Sequence, residues 1–242
     1  MPRLVARFLA LLLCGMPLAL SAAPPRVLIF SKTAGFRHDS IPVAVAALRD
    51  LARRQALTAD ASEEAAVFSP ERLRAYRAVI FVNTTGDILD APQQRALEGF
   101  IRAGGGFVGV HAAADTEYGW PWYGELVGAW FESHPPGLQT TRVRFDVDGV
   151  AARGREWRAT DEIYNYRRNP RGRANVIATV DEHDYTGGTM GDDHPIAWCR
   201  GFAGGRAWYT GLGHDGALYA DPVFLRHLAR GLRYAAGLSG EC

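Results

Sequence analysis

Short apolar runs alternate with stretches of helical spacing through the first half of this chain. Residues Arg26–Phe30, 78–82 and Gly106–Val110 carry continuous apolar runs, as parallel strands buried on both faces require. Between the first two lies a segment, 42–56, in which Val45, Leu48, Leu51 and Ala52 fall on one helical face. Residues 58–61 read as a second strand. Ser69 followed by Pro70 is a helix start, with the hydroxyl as N-cap and proline at the first position. Residues 91–103 form an amphipathic helix stopped by the glycines at 104–106. Strands alternating with helices predict an α/β fold with a parallel sheet covered on both faces.

The second half is less regular. Strands are predicted over 141–147, Asn175–Val180, 196–198 and 206–210, and a closing helix over 221–236. Two stretches, 115–140 and 181–195, are too long to be simple connectors, and long loops in compact domains usually carry function. After Gly106–Val110 the chain enters a turn of small residues, Gly109-Val-His-Ala-Ala113. That pattern fits the elbow that presents a nucleophile at the end of an α/β sheet, but its central residue here is His111.

Composition adds bounds. Of 242 residues, 48% are hydrophobic, enough for one full core, and a formal charge of +1 gives no reason to expect nucleic acid as a partner. Arg3 and Arg7 precede an apolar run over 8–20 and then Ser21-Ala-Ala-Pro-Pro25. This predicts a secretory signal peptide over 1–23, one domain over 24–238 and a short tail over 239–242. The mature protein is then expected in the periplasm or secreted, free of the membrane once the leader is cut. An uncleaved anchor fits less well, because the run is short and Pro17 interrupts it. Cys199 and Cys242 remain after cleavage; they either pair or leave a buried thiol and a frayed terminal one.

Candidate chemistry follows the strand ends, where open α/β sheets bind ligands. His38 follows the first strand, His111 sits at the elbow, and His214 follows the 206–210 strand in Gly211-Leu-Gly-His-Asp215. His134 and His194 fall in the long irregular stretches, His183 follows Asn175–Val180, and His227 lies in the closing helix as a structural or solvated side chain. Such clustering suits a metal or acid–base chemistry, although no His-x-x-x-His or Cys-x-x-Cys spacing is present. Asp161 and Glu162 offer a general base or a metal ligand and Tyr164 a proton donor or sugar-stacking ring, or equally they are a solvated acidic pair beside core tyrosines. Trp120, Trp122 and Tyr123 form either a sugar-stacking platform or a packed lid.

Six segments in order resemble the ThuA-like (trehalose-utilisation) family: Lys32-Thr-Ala-Gly-Phe-Arg-His-Asp-Ser40, Gly104-Gly-Gly-Phe-Val-Gly-Val-His111, Ser133-His-Pro-Pro136, Asp161-Glu-Ile-Tyr164, His194-Pro-Ile-Ala-Trp198 and Gly205-Arg-Ala-Trp-Tyr-Thr-Gly-Leu-Gly-His214. The resemblance implies a three-layer αβα, flavodoxin-like sheet of the class I glutamine amidotransferase-like type. It implies a sugar or keto-glycoside substrate and, from some relatives, a divalent metal such as zinc. Glutaminase chemistry is not expected, since an imidazole at the elbow cannot replace the thiolate that forms a thioester. The expected catalytic set is His111, Asp161, Glu162, Tyr164 and His194. His134, Trp120, Trp122 and Tyr123 are expected to bind substrate, and His38, His111 and His214 to hold the metal. The expected partner is a small carbohydrate, either cleaved or merely bound by a non-catalytic module.

Overall fold

A nine-stranded sheet organises the computed structural model, which describes residues 23–147, 149–151 and 156–242. The expected leader over 1–23 lies outside these residues except for Ala23. In chain order the elements are β1 (Arg26–Phe30), α1 (Ile41–Arg54), β2 (Thr58–Ser62), α2 (Pro70–Leu73), β3 (Tyr76–Val82), α3 (Ala91–Arg102), β4 (Gly106–Val110), α4 (Pro121–Val127), β5 (Phe131–Ser133) and β6 (Gln139–Phe145). Then follow β7 (Trp157–Asp161), β8 (Asn165–Tyr166), β9 (Asn175–Val180), β10 (His194–Phe202), β11 (Gly205–Thr210) and α5 (Pro222–Ala235).

The sheet order is β2-β1-β3-β4-β11-β10-β9-β6-β7. Its first five strands pair in parallel, and the last four join by antiparallel pairings. Three of the parallel strands, β1, β3 and β4, are those with continuous apolar runs. All five residues of β4 are buried, as are the last five of β3. At the antiparallel flank β7 alternates instead, with Trp157, Ala159 and Asp161 inward and Arg158 and Thr160 outward, as a strand with one wet face should.

Helices cover both faces. On one, the ring of Tyr123 in α4 packs on Phe81 and Phe107. On the other, α5 lies so close to β4 that a Cβ at Gly106 would sit 2.0 Å from the Ala235 carbonyl oxygen. Side-chain caps fix where helices begin. Ser69 Oγ accepts the Arg72 N–H at α2, Asp90 and Gln93 form a reciprocal capping box at α3, and Asp221 accepts two N–H groups at α5.

Two expectations about the irregular stretches change. Residues 115–140 contain α4 and β5, and β5 pairs with β8 in a separate two-stranded sheet. His194 is no loop residue: it opens β10, opposite Val180 of β9. Cys199 of β10 is disulfide-bonded to Cys242, with 6.2 Å between Cα atoms.

The strand order reverses between β1 and β3, since β2 lies on one side of β1 and β3 and β4 on the other. Such a switch point leaves a crevice beyond the carboxyl ends of the strands. The loops after β1, β3, β4 and β11 meet there.

Candidate functional site

His111 is built to point its ring into that crevice. Its backbone takes φ +49°, a left-handed conformation that bulky residues rarely adopt. The Tyr209 hydroxyl donates to the His111 carbonyl at 2.8 Å and the Tyr164 ring lies over the imidazole at 4.1 Å between centroids. His111 Nδ1 lies 2.8 Å from the Gly211 carbonyl oxygen. A carbonyl can only accept, so Nδ1 carries the proton and Nε2 of the neutral ring keeps its lone pair. That lone pair is buried, lacks a hydrogen-bond partner, and faces Glu162 Oε2 at 3.4 Å. Two electron-rich atoms face each other, an arrangement that calls for a proton or a cation between them.

His38 and His214 complete the cluster. The three imidazoles meet edge to face, 5.0–5.2 Å between centroids. His214 Nδ1 lies 3.3 Å from Glu162 Oε2, and the Nδ1 atoms of His38 and His214 are likewise buried without hydrogen-bond partners. Burial, reinforced by the imidazoles of His111 and His214, pushes His38 down to about 3, so it is a neutral lone-pair donor near neutral pH. For Glu162, burial opposes the charge, but a proton brought to the facing rings of His111 and His214 outweighs it and holds the carboxyl well below its usual range. The same carboxylate raises His214 against the opposing effect of burial.

One ligand atom each from His38, His111, Glu162 and His214 lies within 4.8 Å of all the others. Ligands ~2.1 Å from one ion stand at most ~4.2 Å apart, so small side-chain rotations would close the set on a cation. Three imidazoles and one carboxylate suit zinc and its divalent neighbours. The Nδ1–H of His111 on a backbone carbonyl is the supporting contact that orients ligating histidines in metal sites. The residues fit the group that the sequence implied, and Glu162 joins the three histidines expected to hold it.

The loops are braced from outside the cluster. Asp161 is fully buried and accepts the backbone N–H groups of Gly213, His214 and Asp215 at 2.6, 3.4 and 2.7 Å. Burial raises its carboxyl, partly offset by nearby His111 and by these N–H groups. Both its oxygens are occupied, which makes it a positioning residue rather than the acid–base group expected. Asn83, at the end of β3 with φ +52°, donates from Nδ2 to Ser40 Oγ at 2.9 Å and to the Gly213 carbonyl at 3.3 Å. It ties the His38 loop to the His214 loop.

The remaining expected residues are distributed differently. His134 lies at the mouth, with Nδ1 3.3 Å from Glu162 Oε1 and 2.9 Å from its neighbour Pro135's carbonyl oxygen. Tyr164 is a buried wall between His111 and Phe131, its hydroxyl raised well above its ordinary value by burial. His194 stands behind that wall. Its Nε2 lies 2.9 Å from the Tyr164 carbonyl oxygen and its Nδ1 2.7 Å from Glu182 Oε1, so it supports the segment instead of entering the pocket. Trp120 and Tyr123 are buried, Trp120 stacks on Trp122, and Trp122 packs on Phe202. That loop is a packed lid on the sheet face, because α4 turns its rings toward the strands. His183 is exposed beside Asp181, and His227 is buried in α5.

Three neighbours of the cluster were not among the expected residues. Asn83 had one signal, a polar side chain closing a buried strand. Asp115, half-buried past the elbow, accepts the Tyr118 hydroxyl at 2.6 Å; burial raises its carboxyl, while that hydrogen bond and His111 pull it down. Phe36 stands edge-on to His38 at 4.9 Å while 65% exposed.

The model of a family described as "ThuA: Trehalose utilisation" matches residues 26–235. Among solved structures, the chain is 21% identical to a ThuA-like protein from Bacteroides uniformis, covering 91% of this chain and 95% of that one, with a TM-score of 0.72. A ThuA-like protein from Parabacteroides merdae gives 20% identity, 88% and 90% coverage and a TM-score of 0.69. A β-galactosidase from Bacillus circulans shares the fold over 88% of this chain but only 31% of its own, at 16% identity and a TM-score of 0.56. No curated protein matches the chain.

Proposed function

The chain belongs to the ThuA (trehalose-utilisation) family, and on that premise we propose that it is an exported, metal-assisted enzyme cleaving a sugar derivative, of which a keto-glycoside fits best. The observation that carries this reading is the convergence of His38, His111, Glu162 and His214 on one point, with buried ring nitrogens left unpartnered. An unpaired polar atom in a core is costly, and a constellation of them is retained for a ligand. These four residues would hold a divalent ion, which polarises a substrate oxygen and neutralises the charge that develops on it.

The chain's own groups supply the proton transfers. A 3-keto group acidifies the C2–H of a sugar ring. The Glu162 oxygen that faces His134 takes that proton. The electron pair forms a C1–C2 double bond and expels the glycosidic oxygen from C1. His134, 38% exposed at its side chain, delivers a proton to the leaving oxygen. Water added across the double bond completes a net hydrolysis. The elbow histidine offers no thiolate, so the glutaminase route of the wider superfamily stays closed. Export is supported by the basic and apolar leader pattern and by the Cys199–Cys242 disulfide, a bond suited to oxidising compartments.

The test is His111→Ala. It should keep its circular dichroism, lose stoichiometric zinc or manganese on elemental analysis, and turn over keto-disaccharides at least about a hundredfold more slowly. Unchanged turnover sinks the proposal. Stoichiometric sugar binding without product by the unaltered, metal-loaded protein would favour a carbohydrate-binding module instead.

A further inference from the structure

Among the described residues, the exposed large apolar side chains are Phe36, Val43, Leu138 and Leu238. Their placement is uneven. Phe36, Val43 and Leu138, 65%, 41% and 45% exposed, line one groove of about 360 Å³, and His214 lines the same groove. They reach it from three separate segments: the loop after β1, the first turn of α1 and the approach to β6. Isolated exposed apolar residues are ordinary, but three brought together from distant parts of a chain beside a reactive cluster are a surface with a use.

We propose that this groove is a subsite for an apolar aglycone, an aryl or branched alkyl group carried by the glycoside whose sugar occupies the histidine cluster. The inference rests on the glycoside reading above for what lies at the cluster. The groove's own features name the class of its occupant. It shares His214 with the cluster, so a group held in it adjoins the reacting centre. Its size lies in the range of small-molecule sites, roughly 300–1,000 Å³. Three apolar side chains fall far short of the roughly 20–30 residues a side that a stable protein interface engages, which argues against a second copy or a protein partner. Val43 and Leu138 are branched aliphatics, poor platforms for the polar edge of another sugar ring, and Phe36 adds an open aromatic face. Asp39 and Asp215 line the groove beside the apolar side chains, so it disfavours an anionic substituent. The expected platform of Trp120, Trp122 and Tyr123 is packed against the sheet, which leaves Phe36 as the open ring at this mouth.

Benzyl alcohol, a neutral apolar probe without a sugar, tests the groove by ligand-observed NMR on the full chain and on Val43→Asp and Leu138→Asp. Both substitutions are at exposed positions, so folding is not at issue. Binding should weaken about tenfold in each, the equivalent of losing one well-buried apolar contact. Phenyl glucoside should bind about tenfold more tightly than methyl glucoside to the unaltered protein, and within about twofold of it in Leu138→Asp. Benzyl alcohol that fails to bind, or binds equally to all three proteins, overturns the subsite. Benzyl alcohol bound in the groove with no gain from an attached glucose upholds the apolar subsite and counts against the glycoside reading.

Discussion

Asp161 has the composition of a catalytic acid and the surroundings of a clamp. Each of its oxygens receives at least one backbone N–H from the loop that carries His214. Asp161→Asn would turn an amide N–H₂ toward one of those donors. We expect a loss of about 1–3 kcal/mol in denaturant unfolding, the usual cost of an unsatisfied buried group. Zinc affinity should fall roughly 10–100-fold, as when a ligand's outer support is removed; competition with a chelating dye reads it. At this scale the sequence revealed the types and not the roles. Histidines after strand ends pointed to His38, His111 and His214 because loop position follows from strand order. Whether Asp161 or Glu162 faces the pocket turns on the single alternation of side chains where β7 ends, and a one-residue difference inverts it. Asn83 acts through Ser40 and Gly213, 43 and 130 residues away in the chain, and no local pattern encodes such a partner.

α5 shows how an element can carry a titration unrelated to the site. His227 is fully buried against Trp208, Phe145 and Phe224, and neither ring nitrogen has a hydrogen-bond partner. Burial, with a smaller effect of Arg230, pushes it down from 6.5 to about 3. Below pH 6.5 the unfolded chain takes up a proton that the folded chain refuses, so stability is full above that pH and drains away toward pH 3. The slope is about 1.4 kcal/mol per pH unit. Between pH 6.5 and 4.5, His227→Leu should therefore lose about 2–3 kcal/mol less than the unaltered protein in urea titrations. Elements of this kind were the most legible part of the chain. Continuous apolar runs marked β1, β3 and β4, the Ser69-Pro70 start marked α2, and amphipathic spacing ended by glycines marked α3, since these signals are local. β5, β7 and β8 were missed: they are short, half-polar and held by partners far along the chain.

For the molecule as a whole, the sheet joins two differently built halves. The parallel half carries His38 and His111, and the antiparallel half ends in the strand that delivers Glu162. The Cys199–Cys242 bond fastens the segment after α5 to β10 and spans 43 residues of sequence. Reduction, or Cys242→Ser, should lower unfolding free energy by about 2–4 kcal/mol, most of it through the freedom returned to the unfolded chain. Denaturation midpoints with and without reductant measure it, and an unchanged midpoint would show that the clasp is idle.

β7 is the outermost strand of its sheet, and outer strands are commonly the first to fray. Its last residue grips the His214 loop and the next residue is Glu162. One opening event would therefore strip the carboxylate and loosen an imidazole together. A bound ion could not leave one ligand at a time; its residence time would be the waiting time for the sheet's far margin to unzip.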